Sequence, residues 1–452
     1  MGRASLEKDW TKDSVAGNLW SLSWPILISQ SLSMMGPTID MIWVGKLGPA
    51  AVAGVGLSGI IVLVVNSLTM GLFTGLRAMI ARFVGAGDRE GANHVLQQAF
   101  VIAAVFSIVT AVTGLFLADQ LLIVFGVEPD VVAIGAAYLR IQLVGMVTMS
   151  LLRISDSSMQ ASGDAVTPMR IAIFYRVFHL ILVPFLIFGW WVFPRLGVSG
   201  AALTSVITQG LGAAAGLWYL FGGRSRLRPT LRNFRLDWSA LWRLAKVGIP
   251  ASVTGVQRFF PSLVLVLFVS PFGTFAVAAY SIMQRIDNFI RVPAASLGTS
   301  SGILAGQNLG AGQPERAEKG GWLAAGAYTV LMVIVVVALW FWAEGVIGIF
   351  NTEQGLVEIA AAFLRIQLVG YLVFGLVVVL SMCIEGVGDT VPSMIVTVAT
   401  MWLIQIPLAY YLPQFTGLGV QGVQWAIVAA LLVRGVFFPL YFRMGRWKRK
   451  KV

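Results

Sequence analysis

The second half of this chain repeats its first half at a constant spacing of 225 residues. The run Tyr138-Leu-Arg-Ile-Gln-Leu-Val-Gly145 returns as Phe363-Leu-Arg-Ile-Gln-Leu-Val-Gly370. Two further pairs keep the spacing: Pro25 with Pro250, and Gly163-Asp164 with Gly388-Asp389. A register that holds across most of one half without a gap indicates a duplicated unit. We therefore expect the chain to fold as two similar halves.

The composition indicates the environment in which these halves fold. Of the 452 residues, 58% are hydrophobic and 12% are charged, whereas soluble domains carry about 25% charged residues. Long apolar stretches recur, and about 20 such residues form a helix that crosses the roughly 30 Å core of a bilayer. Their continuity favours helices over the alternating strands of a membrane barrel. The sequence predicts an all-α polytopic membrane protein with twelve transmembrane helices: 18–44, 51–78, 95–117, 132–158, 168–192, 198–221, 245–270, 275–304, 321–343, 356–386, 392–413 and 418–442.

The distribution of arginine and lysine predicts how the chain crosses the membrane. Seven of these residues lie in the segment 222–246 and six in 443–452, whereas the connections on the opposite side hold only Lys46 and Arg195. Because basic residues are retained in the cytoplasm, we expect a multi-pass protein of the plasma (inner) membrane with both termini cytoplasmic. Four parts follow: an N-terminal lobe of six helices (1–221), a basic linker (222–246), a C-terminal lobe of six helices (247–442) and a basic tail (443–452).

An even number of spans returns each half to the side on which it began. The two six-helix bundles then share one orientation, and a pseudo-two-fold axis along the membrane normal relates them. Two such bundles facing each other form a central cleft, and rocking one against the other gives alternating access. Neither glycine-rich turn, 85–87 or 310–312, is followed by the Lys-Ser/Thr of a nucleotide-binding loop. The pattern predicts a gradient-driven transporter, for which a monomer suffices, and not an enzyme.

The remaining reactive residues argue against other classes of protein. Cys383 is the only cysteine, so it forms neither an intramolecular disulfide nor a cysteine metal cluster, and His94 and His179 make no zinc motif. We expect no cofactor other than a coupling ion. The net charge of +12 is explained by membrane topology and by attraction to anionic lipid heads. We therefore expect the bilayer as a partner, and no nucleic acid.

Several motifs resemble those of the multidrug and toxic compound extrusion (MATE) family: Met159-Gln-Ala-Ser-Gly-Asp-Ala-Val-Thr-Pro-Met169, Gly197-Val-Ser-Gly-Ala-Ala-Leu-Thr204 and Gly306-Gln-Asn-Leu-Gly-Ala-Gly-Gln-Pro-Glu-Arg-Ala317. The resemblance covers nearly the whole chain. It implies a twelve-helix, two-lobe antiporter that exports amphipathic, often cationic, small molecules in exchange for inward H⁺ or Na⁺. The chain resembles the branch related to DNA-damage-inducible F proteins more than the NorM branch. The acidic residue that NorM proteins carry in span seven falls near Gln257 or Arg258 here.

Asp40 is the first candidate for ion coupling. Its copy in the second half is Leu265, so the shared fold does not require a carboxylate at this position. A charged residue at the centre of a spanning helix costs about 2.5–3.5 kcal/mol, which makes a functional role the default hypothesis. The MATE resemblance also places the ion-coupling carboxylate here. The alternative is an interfacial carboxylate paired with Lys46.

Span five departs from the family pattern. Where the family commonly has Asn-x-x-Leu-Asp-Pro, this chain has His179-Leu-Ile-Leu-Val183-Pro184, while Thr204 in span six matches the family's threonine. Losing an amide and a carboxylate weakens a Na⁺ site, whereas a histidine titrates in the physiological range. We expect H⁺ coupling through Asp40, His179 and Thr204. Na⁺ coupling, and a neutral His179 with a structural role only, are the alternatives.

Other polar residues inside the spans are candidates for lining a substrate cavity. Arg153 and Asp156 are spaced i, i+3 and are expected to pair, and their copies are Val378 and Ser381. Arg285 and Asp287 either form a salt bridge or line a cavity in the C-terminal lobe. The complete candidate set is Arg153, Asp156, Arg258, Gln284, Arg285 and Asp287. The acids favour an amphipathic cation as substrate, and the arginines leave open a flippase for a lipid-linked or anionic substrate.

Overall fold

The computed structural model describes residues 9–230, 234–257 and 260–450. Within these ranges every regular element is helical and no strand is present. The predicted all-α class is confirmed.

Seven helices form the first half of the chain. Their boundaries follow local signals: α3 begins where the Asp88 carboxylate accepts the Gly91 N–H at 2.8 Å. Likewise α2 begins with Pro49, after Gly48 in a backbone conformation with φ of +111°. The helices are α1 (Val15–Val44), α2 (Pro49–Gly85), α3 (Arg89–Ile123), α4 (Pro129–Val144), α5 (Met146–Ser162), α6 (Val166–Phe188) and α7 (Val198–Phe221).

The second half contains the matching helices with an additional break. A π-helical turn, Met401–Gln405, separates two helices of the fifth span. Residues 258–259, in the first span of this half, lie outside the described residues. The helices are α8 (Trp238–Gln257), α9 (Phe260–Val269), α10 (Thr274–Gly310), α11 (Pro314–Phe341), the short α12 (Ala343–Gly348), α13 (Gln354–Gly386), α14 (Thr390–Thr400), α15 (Ile406–Phe415) and α16 (Gln421–Met444).

The lengths and compositions of the described helices fit a polytopic membrane protein. Eight spans are long and apolar enough to cross a membrane: α2, α3, α6, α7, α11, α13, α14 with α15, and α16. The pair α4 and α5, bent by 42°, makes a ninth. The other three predicted spans are α1 and α10, with 30 and 37 residues, and the pair α8 and α9. Each half therefore supplies six helical spans, as the twelve-helix prediction requires.

The chain divides into two compact units. The N-unit comprises Trp24–Gly248 with residues 9 and 10, and the C-unit comprises Thr11–Ser23 and Ile249–Val452. The chain thus passes from one unit to the other inside α1 and again inside α8, beside Pro25 and Pro250. The boundary lies within a helix in both cases, not in the basic linker.

The duplication extends to individual ion pairs. In the N-unit Arg140 pairs with Asp119, and in the C-unit Arg365 pairs with Glu344 at 2.6 Å. Both partners are shifted by 225 residues between the copies. The predicted repeat is therefore present in side-chain contacts as well as in helix order.

Glycine permits close helix contacts in both units. A Cβ at Gly54 of α2 would lie 2.9 Å from the Gly135 nitrogen of α4, where Ser58 also donates a hydrogen bond to the Gly135 carbonyl at 2.9 Å. In the C-unit, a Cβ at Gly386 would lie 2.5 Å from the Gly302 Cα. Such small-residue contacts are a common means of helix association in membranes.

The basic linker binds the N-terminal part of α3. Four polar residues of α3 bind the linker. Three of them contact its backbone: Asn93 accepts the Arg228 N–H at 2.9 Å, Gln97 donates to the Thr230 carbonyl at 2.5 Å, and Gln98 donates to the Arg235 carbonyl at 2.7 Å. The fourth, His94, contacts the Asp237 carboxylate at 3.0 Å. Asp237 in turn accepts the Ser239 and Ala240 N–H groups at the start of α8. The linker is therefore an ordered strap along its described residues.

The tail folds back on the C-unit in a comparable way. Trp447 is fully buried, its ring stacks on Phe442 at 4.6 Å, and its Nε1–H donates to the Phe442 carbonyl at 2.8 Å. Lys448 pairs with Glu318, and Lys450 pairs with Asp389 at 3.2 Å. These two lysines bind acids of their own unit, whereas Arg443, Arg446 and Arg449 are exposed.

Candidate functional site

The N-unit encloses a cavity of about 260 Å³, which we call the N-cavity. Residues from α1, α2, α4, α5, α6 and α7 line it, including Asp40, Asn66, Arg153, Asp156, Arg176 and Ser205. Its apolar wall includes Val62, Leu63, Met146, Met149 and Leu152. The cavity therefore combines charged groups of both signs with flexible apolar side chains.

Asp40 joins this cavity to a buried histidine. Asp40 is 4% exposed, and its Oδ1 lies 2.9 Å from His179 Nε2. Ser205 donates its hydroxyl to Asp40 Oδ2 at 3.2 Å, and His179 Nδ1 lies 3.3 Å from the Thr208 hydroxyl. His179 does not line the cavity, so among the described residues Asp40 stands between His179 and the open space.

Three helices supply this hydrogen-bonded chain. Asp40 lies near the end of α1, His179 lies in α6, and Ser205 and Thr208 project from α7 on the same face because they are three residues apart. The Thr204 hydroxyl donates to the carbonyl of Gly200 at 2.7 Å, within its own helix. Thr204 contributes through its backbone instead, because its carbonyl accepts the Thr208 hydroxyl at 2.8 Å.

A second set of polar side chains, from α2, α5 and α6, lines the N-cavity. Asn66 Oδ1, Asp156 Oδ1 and Arg176 Nε are buried and have no hydrogen-bond partner within the described ranges. The expected pairing of Arg153 with Asp156 is not found there, since no salt bridge within 4.0 Å joins them. Both residues line the cavity, and neither neutralises the other by direct contact.

The C-unit encloses a cavity at the equivalent place, which we call the C-cavity. Its volume is about 190 Å³, and within the first four spans of each half ten lining positions are copies of N-cavity positions in the 225-residue register. These pairs are Asp40/Leu265, Gly59/Gln284, Val62/Asp287, Asn66/Arg291, Gln142/Gln367, Met146/Tyr371, Met149/Phe374, Leu152/Val377, Arg153/Val378 and Asp156/Ser381. Charge occupies different positions in the two copies of one cavity.

Of the candidate cavity residues predicted in the C-terminal lobe, some line the C-cavity and others do not. Gln284 and Asp287 line the C-cavity, where the Tyr371 hydroxyl donates to the Asp287 carboxylate and Gln284 donates to Tyr280 at 2.9 Å. Arg285 is exposed and does not line the C-cavity, and in the described ranges it forms no salt bridge with Asp287. Side chains two positions apart on a helix point about 200° apart, which puts Arg285 on the outer face. Arg258 lies outside the described residues.

Sequence reasoning did not single out Ser205, Thr208, Asn66 or Arg176. A signal existed for Arg176, which is a charged residue within the predicted span 168–192. The serine, threonine and asparagine gave no such signal, because these uncharged residues are common in membrane helices and can bond to the backbone of their own helix. Only the tertiary contacts identify them.

Comparison with known proteins identifies the family of this chain. A family model described as MatE matches residues 25–185 and 250–411, two stretches that begin 225 residues apart. The probable multidrug resistance protein YoeA of Bacillus subtilis is 28% identical over 439 residues, which is 95% of this chain and 93% of that protein. The FAD transporter of Shewanella oneidensis is 24% identical over 422 residues, 92% of each chain.

Solved structures share the fold over nearly the whole length. A MATE transporter in the bent conformation superposes with a TM-score of 0.91 at 24% identity, covering 96% of each chain. A MOP superfamily transporter from Pyrococcus furiosus superposes with a TM-score of 0.90 at 24% identity, covering 98% of each chain. With the family model matched in both halves, the chain belongs to the MatE family of multidrug efflux transporters.

Proposed function

We propose that this protein is a secondary antiporter that exports amphipathic small molecules in exchange for inward H⁺. The observation that carries the proposal is the contact between Asp40 and His179, in which a buried carboxylate of the N-cavity wall lies 2.9 Å from a buried imidazole. The MatE family supplies the class of transporter. The coupling ion and the direction of exchange are the parts that the experiment below tests.

The Asp40–His179–Thr208 chain keeps its geometry whether or not it holds one additional proton. When the Thr208 hydroxyl donates to the Thr204 carbonyl, its oxygen accepts Nδ1–H, and an imidazolium faces the Asp40 carboxylate. When Nδ1 is bare, the hydroxyl donates to Nδ1 instead, and the neutral ring still donates Nε2–H to Asp40. A hydroxyl rotation therefore accompanies loading and release of the proton.

The two protonation states give the pair different net charges. With the proton the pair is neutral, and without it the pair carries one negative charge in the wall of the cavity. A buried unpaired charge is strongly unfavourable, so the deprotonated pair favours uptake of either a proton or a cationic group of the substrate. Because the proton and the cationic group of the substrate both relieve the negative charge of the cavity, each weakens the binding of the other, which is the thermodynamic coupling that an antiporter needs.

The ligands around Asp40 suit a proton better than Na⁺. Sodium needs several oxygen ligands, whereas Asp40 Oδ1 is bonded to a ring nitrogen and Val183 occupies the position of the family's second aspartate. The Thr204 hydroxyl is directed to Gly200, not to Asp40. A sodium site here would require His179 and Thr204 to leave their present contacts.

Efflux from proteoliposomes tests the proposal. A rhodamine dye is loaded, and its release is followed under an imposed pH gradient or an imposed Na⁺ gradient. We expect release with the pH gradient alone, and Asp40→Asn should reduce it to the rate without a gradient. His179→Leu should slow it at least tenfold, because it removes the proton acceptor beside Asp40, whereas His179→Gln retains a hydrogen bond and should be intermediate. Exposed Arg285→Gln is the matched control.

Two results would count against H⁺ antiport. Release driven by Na⁺ would assign the site to that ion, and undiminished pH-driven release by Asp40→Asn would remove Asp40 from coupling. A second candidate function, movement of an anionic or lipid-linked substrate, is favoured by Arg153 and Arg176 in the N-cavity. It predicts no release of any rhodamine dye under either gradient.

A further inference from the structure

We infer that the N-cavity selects an amphipathic zwitterion, with the anionic group of the ligand at Arg176 and its cationic group at Asp156. This inference rests on the proposed transport function and names the class of substrate. It differs from the simple cation expected from the sequence. Four observations support it. Buried polar atoms in the cavity wall lack hydrogen-bond partners, and the charged side chains there do not pair with one another. The Arg176 guanidinium packs against Gly36, and the charged positions differ between the two repeats.

Three buried polar side-chain atoms in the wall of the N-cavity are unsatisfied. Asn66 Oδ1, Asp156 Oδ1 and Arg176 Nε are buried, and each lacks a hydrogen-bond partner in the described part of the chain. Buried polar atoms in native proteins are almost always hydrogen-bonded, so exceptions require an explanation. Two acceptors and one donor that line the same space are complementary to a ligand that carries both a donor and an acceptor.

The charged groups do not satisfy one another. Asp40 is bonded to His179 and Ser205, which leaves its oxygens engaged. Asp156 forms no salt bridge with Arg153 within the described ranges, and Arg176 forms none either. The cavity wall therefore holds two carboxylates and two guanidinium groups. A simple cation would meet the arginines, a simple anion would meet the acids, and a zwitterion satisfies both.

Arg176 reaches the cavity because residue 36 is glycine. A Cβ on Gly36 would lie 2.2 Å from Arg176 Nη1 and 2.8 Å from its Cζ. The guanidinium thus rests on the bare backbone of α1, one turn before Asp40. A guanidinium held in this way can form the paired hydrogen bonds with a carboxylate or phosphate that arginine geometry favours.

The internal repeat shows that packing does not demand these charges. Val378 and Ser381 replace Arg153 and Asp156 in the second copy, and both line the C-cavity. The same helices therefore pack around an equivalent cavity without the charged pair. What distinguishes the N-cavity is consequently its chemistry and not the architecture of the span.

Two rhodamine dyes that differ by one methyl group test the inference. Rhodamine 110 has a free carboxylate and is a zwitterion, whereas rhodamine 123 is its methyl ester and a cation. Binding to the full-length protein in detergent is measured by fluorescence anisotropy without any gradient. We expect rhodamine 110 to bind about tenfold more tightly, as one charge-assisted hydrogen bond would give.

The variants separate recognition from folding. Arg176→Gln should abolish the preference by weakening rhodamine 110 about tenfold while leaving the ester within about twofold. Arg176→Lys, which keeps the charge, should restore part of the preference. Asp156→Asn should weaken both dyes, because both carry the cationic xanthene. Arg285→Gln, at an exposed site, should change neither, and thermal unfolding establishes that each variant is folded.

The inference is overturned if wild-type protein binds the two dyes equally or prefers the ester, or if Arg176→Gln weakens both dyes to the same extent. Because binding is measured without a gradient, the outcome is independent of the coupling ion. Preferential binding of rhodamine 110 with no pH-driven efflux would refute the proposed antiport alone. Efflux of rhodamine 123 in preference to rhodamine 110 would refute the zwitterion alone.

Discussion

Two carboxylates inside the helical spans of this protein show how neighbours decide the role of a residue. Asp40 and Asp287 both lie within predicted spans, and both have an uncharged copy in the other half. Asp40 contacts a histidine that can exchange a proton with it, whereas Asp287 contacts the Tyr371 hydroxyl. Charge within a span and asymmetry between repeats were enough to single out both residues. His179 was a candidate only through the family resemblance, whereas Ser205 and Tyr371 could not be predicted as partners, because they lie on helices that are distant in sequence.

At the residue scale, Gly36→Ala tests whether packing against the bare backbone of α1 positions the Arg176 guanidinium. The added methyl group would displace a flexible guanidinium, so we expect a change in melting temperature of only about 2 °C or less. The affinity for rhodamine 110 should nevertheless fall severalfold, with little change for rhodamine 123. Gly59→Ala is the matched control, since Gly59 lines the same cavity and a Cβ there meets no atom within 4 Å. An equal loss from both variants would contradict the role of Gly36.

At the scale of helices, the sequence predicted spans better than their interruptions. The predicted spans 132–158 and 392–413 are continuous, but the structure bends the first by 42° next to Gly145 and places a π-helical turn in the second. The copy of Gly145 is Gly370, which lies inside the unbroken helix α13. The same local sequence, Ile-Gln-Leu-Val-Gly, is therefore straight in one copy and bent in the other. Packing decides between them, and a Cβ on Gly145 would lie 2.1 Å from Val206 Cγ2.

The contact between α10 and α13 should be sensitive to one methyl group. Gly386→Ala would place its Cβ 2.5 Å from the Gly302 backbone, and backbone cannot rotate away as a side chain does. We expect a loss of about 1–3 kcal/mol, the usual cost of overpacking. Thermal unfolding in detergent measures it. Gly326→Ala on α11, where a Cβ meets no atom within 4 Å, should leave the melting temperature unchanged or higher. A Gly386→Ala protein as stable as wild type would show that α13 can shift.

The strap between α3 and α8 should respond to acid through Asp237. The His94 side chain, followed by the Ala240 N–H and Ser239, lowers the pKa of this carboxyl to about 2. Because its ordinary value is about 3.9, the stabilisation is complete above that pH and is lost as the pH falls from about 4 toward 2. A ¹³C NMR titration of the Asp237 carboxyl should show a midpoint near 2 in wild type and a higher midpoint in His94→Gln. An identical midpoint in both proteins would remove His94 as the main cause.

At the scale of the whole molecule, the two halves share one helical arrangement but carry charged residues at different positions in their cavities. The helix order, the ion pairs of Arg140 and Arg365 and the place of the cavities are shared between the halves, and of these the repeat in the sequence predicted the helix order. The contacts made by the basic tail could not be predicted from the repeat. We expected its charge to meet lipid heads, but Lys448 and Lys450 bind Glu318 and Asp389. A basic residue near a membrane pairs with whichever acid the fold brings close, and sequence alone does not reveal that acid.

The topology prediction can be tested with single cysteines. Cys383 is fully buried and should not react, and Cys383→Ser provides a background without thiols. On intact cells a membrane-impermeant maleimide should label Val192→Cys, which is 90% exposed in the loop after α6. Thr230→Cys, in the linker, should react only after the membrane is permeabilised. The reverse pattern would place the linker outside the cell and would contradict the orientation predicted from arginine and lysine.

The passage of the chain between units inside α1 and α8 has a consequence for fragment complementation. A gene split in the basic linker would yield a first fragment without the last residues of the N-unit, from the split to Gly248, and this fragment would also carry Thr11–Ser23, which belong to the C-unit. Neither product would contain a complete unit. Each co-expressed half would therefore have to receive the start of one helix, α1 or α8, from the other half before its unit is complete. In an ancestral single-lobe protein, two subunits would have had to exchange these helix starts.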